Sequence, residues 1–154
     1  MPMIRHAIFP DDLPTVTAIF REYVQSPAAN LDFQDYEQEF SALPGKYAAP
    51  DGCVLLAVID GGVVGCAALR RVDDAACELK RVYVRPAARG MDLGRRLVEE
   101  MLRVARQAGY RRMCLDVLPE FVAAQRLYES LGFAEAEPVS FNPVPGTRFL
   151  ALEW

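Results

Sequence analysis

Three strand-like runs follow one another between positions 53 and 84, and they constrain the fold more than any other feature of the chain. "CVLLAVI", "VVGCAAL" and "CELKRVYV" are short, apolar and rich in β-branched residues, as buried strands are. The first two are joined by "DGG", a hairpin turn signal, because Gly and Asp accept the positive φ angles that tight hairpins need. The third run leads directly into "RPAARGMDLGRRLVEEML" at positions 85–102. There Leu93, Leu97, Val98, Met101, Leu102, Ala105 and Ala108 recur at helical spacing, and Gly109 marks the stop.

The flanking regions complete an alternating pattern. "MIRHAI" reads as a strand, and a helix begins after Asp12 as N-cap, with Leu13, Val16, Ile19, Phe20, Tyr23 and Val24 on one face. "SPAAN" breaks the chain, and "FQDYEQEFSAL" reads as a short acidic amphipathic helix. After Gly109 come a strand "YRRMCLDV", a helix "FVAAQRLYESLG" and a looped hairpin ending in a strand, "PVSFNPVPGTRFLALEW". The pattern predicts a single mixed α/β domain over residues 1–154.

Composition narrows the function classes. A net charge of −4 argues against nucleic-acid binding, which rewards a basic surface, and suits an amine substrate. No stretch has the length of a membrane span, and the N-terminus lacks the apolar core of a signal peptide. Cys53, Cys66, Cys77 and Cys114 fall inside apolar strand-like runs, with no CxxC pair and only His6 as a histidine. They read as reduced core thiols of a cytoplasmic protein rather than metal ligands.

The stretch from Arg89 through Gly90, Met91, Asp92, Leu93 and Gly94 to Arg95 has the physics of an anion site. A helix N-terminus exposes backbone N–H groups and the positive end of the helix dipole, and glycines let a phosphate approach. Neither a Walker motif nor GxGxxG is present. By itself the signal is weak, and a well-capped helix is the better reading.

Together with "LDV" and "AAQRLYESLGF", this stretch resembles the GNAT superfamily of acetyl-CoA-dependent N-acetyltransferases. Arg89 and Gly94 match the ends of that family's Arg/Gln-x-x-Gly-x-Gly/Ala signature. Leu127, Tyr128, Gly132 and Phe133 match its L-Y-x-x-x-G-F signature. The resemblance implies a mixed, mostly antiparallel central sheet flanked by helices, with a splayed pair of strands holding the cofactor. It implies that acetyl-CoA lies along Val82, Tyr83 and Val84, with its pyrophosphate over Arg89 to Arg95. The acetyl group would pass to a primary amine of a small molecule or peptide by direct attack in a ternary complex. No metal, nucleic acid or membrane is implied, and a homodimer is common among relatives.

Two residues are candidates for proton handling. Glu78 matches the place of a catalytic glutamate in several family members, and equally reads as an ion-pair partner of Lys80, Arg81 or another cation. Tyr128 matches the family's proton donor to the departing thiolate; the alternative is a core residue beside Leu127 and Leu131, and the L-Y-x-x-x-G-F context favours the donor role. Tyr36 and Glu37, on the acidic helix, are candidate substrate contacts. Two positions depart from the family pattern: Asp92 stands where glycine is typical, and Phe121 where an asparagine is common. Asp92 tolerates a left-handed backbone, and Arg96 lies four residues on, so its side chain is expected to pair away from the phosphates. These departures leave a second reading open, a non-catalytic acyl-CoA-binding sensor.

Overall fold

The computed structural model describes every residue except Ala29 and, at Phe33, the backbone alone. The break expected over positions 26–30 includes Ala29 and so lies partly outside the described residues. Among the described residues, seven strands form one sheet in the order β1-β2-β3-β4-β5-β7-β6. They are β1 (Met3–His6), β2 (Cys53–Ile59), β3 (Gly62–Arg71), β4 (Ala76–Val84), β5 (Arg112–Val117), β6 (Ala134–Glu135) and β7 (Arg148–Glu153). All pair antiparallel with their neighbours except β4 and β5, which run parallel. The mixed, mostly antiparallel sheet expected from the sequence is therefore present.

The three central runs form β2, β3 and β4. The β2–β3 turn consists of Asp60 (φ 51°) and Gly61 (φ 82°), the double positive φ of a tight hairpin whose twist matches its strands. Helices α1 (Leu13–Gln25) and α2 (Tyr36–Ser41) cover one face; α3 (Leu93–Gln107) and α4 (Val122–Ser130) cover the other. Val16, Ile19, Phe20 and Val24 of α1 lie against Val54, Leu56 and Val58 of β2. Leu93, Leu97, Val98, Met101, Leu102 and Ala105 of α3 join Leu55, Ala57 and Leu69 on the opposite face. Burying each large apolar side chain is worth about 1.5–3 kcal/mol, so the α3 stripe anchors that helix firmly.

Two sequence expectations need correction. Asp12 stands at the N-terminus of α1, yet its side chain caps no amide of that helix. Its carboxylate turns back to Arg5 Nη1 (2.7 Å) and to the amide of Ile8 (2.7 Å) instead. These bonds, that with Arg5 foremost, hold it down to about 2. The acidic helix is also shorter than its pattern suggests. A 3-10 turn over Asp32–Gln34 is separated from α2 by Asp35 in the left-handed region (φ 53°).

All four cysteines are free and buried. Burial pushes Cys53 and Cys77 up to about 12, so neither thiol carries charge at neutral pH. Among the described residues no cluster of three or more His, Cys, Asp or Glu could hold a metal ion, and no helix is long and apolar enough to cross a membrane.

Candidate active site

The site begins with a one-residue insertion in β4. Cys66 pairs with Tyr83 and Ala68 with Lys80, so Ala67 faces two residues, Arg81 and Val82. Arg81 absorbs the extra length in a left-handed conformation (φ 60°). The bulge changes which face each residue meets. Cys77 and Leu79 before it, and Val82 and Val84 after it, all lie on the α3 side, whereas Tyr83 lies on the α1 side.

Near the same place β4 parts from β5. The two strands pair only through Ala76–Arg112, Cys77–Met113 and Glu78–Cys114. From Leu79 to Val84, β4 pairs with β3 alone, which leaves its β5-facing edge open. A cavity of about 600 Å³ fills the splay on the α3 side. It is lined by Val82, Tyr83, Val84, Arg89, Gly90, Asp92, Leu93, Gly94, Arg95 and Tyr128, all named from the sequence. Met91 does not line it, because its side chain points out to solvent. Ala88, Ala123, Ala124, Arg126, Leu127 and Ser130 complete the wall; of these only Leu127 was singled out from the sequence, as part of the second signature and not as a wall residue. Ala124 was within reach of pattern reading, since it lies one helical turn before Tyr128.

Gly90 (φ 89°) and Asp92 (φ 62°) are both left-handed, and they turn the chain into α3. A capping side chain reaches the first-turn amides from an extended backbone. From its left-handed position Asp92 makes no such bond, and the N-terminal amides of α3 face the cavity without a side-chain cap. The carboxylate is largely exposed and lies 3.8 Å from Arg95 Nε. The expected partner, Arg96, points instead to the carbonyl of Pro2 (3.4 Å). A left-handed residue lies outside the helical phase, so the four-residue spacing does not bring these two together. Arg89 donates from Nε to the Val84 carbonyl (3.0 Å), and Arg95 donates from Nη2 to Ser130 Oγ (2.8 Å). With acetyl-CoA in the place that the resemblance implies, Asp92→Gly is expected to change its KM by less than about threefold, because the amides stay in place; steady-state kinetics checks this.

Tyr128 is held by the way α4 ends. Gly132 (φ 100°) closes the helix, and the amide of Phe133 donates to the Tyr128 carbonyl (3.0 Å). This return brings the Phe133 ring edge-on to the Tyr128 ring at 5.6 Å. Burial above all, with the negative charge of Asp116 adding to it, pushes the Tyr128 phenol far above its ordinary range. It is neutral, and a proton donor, at pH 7.

A second cavity, of about 40 Å³, opens on the α1 side of the splay. Tyr23, Gln34, Lys80, Arg81, Asp116 and Phe121 line it, and it shares Val82, Ala124 and Tyr128 with the larger one. The two spaces thus meet at Tyr128. Phe121 stands at the N-terminus of α4, makes no capping bond, and packs against both halves of the core.

The other sequence candidates lie elsewhere. Glu78 is 1% exposed and lines neither cavity. Its Oε1 accepts from Arg70 Nε (2.7 Å) and lies 4.0 Å from Lys80 Nζ, while Oε2 accepts from the Ser140 hydroxyl (2.9 Å). The ion-pair reading of Glu78 thus has a structural basis, with Arg70 as the main partner. Tyr36 and Glu37 line neither cavity: Tyr36 donates to Asp32 Oδ1 (3.2 Å) and Glu37 pairs with Arg21. From the same region it is Gln34 that reaches the smaller cavity.

Comparison with known proteins defines the class. The chain belongs to the acetyltransferase (GNAT) family, whose model matches residues 14–133. It is 38% identical over 146 residues to an uncharacterised N-acetyltransferase of Schizosaccharomyces pombe, covering 94% of this chain and 90% of that one. It is 34% identical over 127 residues to an N-acetylaspartate synthetase of Xenopus tropicalis, covering 82% of this chain but only 45% of that protein. Among solved structures, an acetyltransferase from Salmonella typhimurium with its cofactor acetyl-CoA superposes with a TM-score of 0.72 at 26% identity. That match covers 99% of this chain and 94% of the other.

Proposed function

We propose that this protein transfers an acetyl group from acetyl-CoA to the primary amine of a small molecule, by direct attack in a ternary complex. The observation that carries this reading is the meeting of two cavities at Tyr128 where β4 leaves β5. The larger one suits the donor. It offers an open strand edge at Val82–Val84, uncapped amides at the start of α3, and the cations Arg89, Arg95 and Arg126. An acetyl-CoA complex of a structural neighbour supports the choice of donor. The relative named N-acetylaspartate synthetase supports a small acceptor over a protein one.

In this reading the acceptor amine approaches from the α1 side. It arrives mostly as ammonium and must lose one proton before its nitrogen can attack the thioester carbonyl. The carbon–nitrogen bond forms as the carbon–sulfur bond breaks, and the nitrogen loses a second proton on becoming an amide. Tyr128 gives its proton to the departing sulfur and is reprotonated, so each turnover yields amide, free thiol and one proton. In this reading the amide of Val84, on the stretch of β4 that has left β5, donates to the developing oxyanion. Glu78 has both carboxylate oxygens engaged, and we assign it the task of holding Arg70 and Lys80 rather than that of base.

The test is a thermal-shift titration with acetyl-CoA followed by free-thiol release over a panel of small amines. Stabilisation with release on at least one amine is expected. Stabilisation without release on any would favour an acyl-CoA sensor, and no stabilisation at millimolar acetyl-CoA would defeat both readings.

A further inference from the structure

We propose that the acceptor is an α-amino acid, its carboxylate held by Lys80 and its amine by Asp116; this rests on the acetyl-transfer reading above. The smaller cavity carries a charge inventory that does not close on itself. The Lys80 side chain is nine-tenths buried, and its ammonium makes no hydrogen bond to any described residue. Its one ionic neighbour, Glu78 Oε1, is 4.0 Å away and already accepts from Arg70 at 2.7 Å. A buried ammonium with unspent donors is costly unless an anion completes it.

Across the same cavity, Asp116 accepts from Asn142 Nδ2 (3.1 Å) through one oxygen and has no cationic partner among the described residues. The remaining charged group, Arg81, is spent. Its Nε and Nη2 donate to Glu39 (3.1 Å each), and its Nη1 donates to Gln34. Tyr23 is pushed up to about 12, chiefly by burial, and is neutral. One open cation and one open anion therefore share a narrow polar space beside Tyr128. A zwitterionic head satisfies both. A simple monoamine would leave Lys80 unmatched, and so would a peptide N-terminus, whose first carboxyl is an amide.

The experiment compares the twenty common amino acids as acceptors. For the best of them, its carboxamide and its decarboxylated amine are then assayed, with wild type and with Lys80→Met, Lys80→Arg and Asp116→Asn. Loss of a charge-assisted contact predicts kcat/KM about 10- to 100-fold lower for both carboxylate-free analogues. Lys80→Met should bring amino acid and carboxamide within about threefold of each other, and Lys80→Arg should restore the preference. Asp116→Asn should lower kcat/KM on all three compounds alike. Acetyl-CoA thermal shifts monitor the fold of each variant. Equal or better turnover of the carboxylate-free amines by wild type, or a preference that survives Lys80→Met, would overturn this inference alone. Turnover on none of the twenty amino acids would overturn this inference too, and the transfer reading falls with it only if the wider panel of small amines also releases no thiol.

Discussion

Tyr128→Phe is expected to lower kcat by roughly 10²–10³-fold, the scale of a lost general acid, while leaving the melting temperature nearly unchanged. The separation of the two effects follows from how the residue is held. Its ring is fixed by the return of the chain through Gly132 and by edge-on contact with Phe133, neither of which involves the hydroxyl. The phenol oxygen makes no hydrogen bond to a described residue, and the side chain borders both cavities. Removing the oxygen therefore takes away a proton donor but little packing. A purely structural Tyr128 would give the opposite result, with turnover retained. Single-turnover acetyl transfer at saturating acetyl-CoA separates chemistry from product release.

Glu39→Gln should be the more damaging change for stability, by about 3–5 kcal/mol, or roughly a 10 °C fall in Tm. The Arg81 side chain is 1% exposed, and Glu39 is the carboxylate that neutralises it. Lys46 lies 3.2 Å from the same carboxylate, so the substitution leaves two cations without their shared anion. Burial alone would raise the Glu39 carboxyl, but the bond and charge of Arg81 outweigh it and hold it below its ordinary value. A carboxylate lowered on folding stabilises the native state above its unfolded pKa, and that contribution disappears as the pH falls through the lowered value. The Tm gap between wild type and Glu39→Gln should accordingly narrow below about pH 4, which paired thermal melts would reveal.

Much of this architecture was legible in the residue order. β2, β3 and β4 announce themselves by apolar runs and a hairpin signal, and α3 and α4 by their stripes and glycine stops. The left-handed Asp92 could be anticipated because Asp tolerates that conformation. The bulge was written in "CELKRVYV" too: apolar positions fall at 77 and 79, then at 82 and 84, and the slip of one marks Arg81. What the order of residues could not supply is tertiary company. Tyr23, Lys80 and Asp116 come from three elements, and only the closed fold brings them around one cavity. Glu78 finds Arg70 on the neighbouring strand and Ser140 on a distant loop, a pairing that no local spacing encodes. The split of the acidic helix at Asp35 likewise moved Gln34, rather than Tyr36 or Glu37, towards the site.

The meeting of two cavities at Tyr128 also bears on traffic. The larger space lies on the α3 side of the sheet and the smaller on the α1 side, with only Val82, Ala124 and Tyr128 common to both. Two reactants that come from opposite sides do not queue for one doorway. In the proposed reading, either reactant can therefore bind first, and either product can depart while the other still waits. Double-reciprocal plots against each reactant should intersect, and inhibition by each product should be competitive only with the reactant that shares its side.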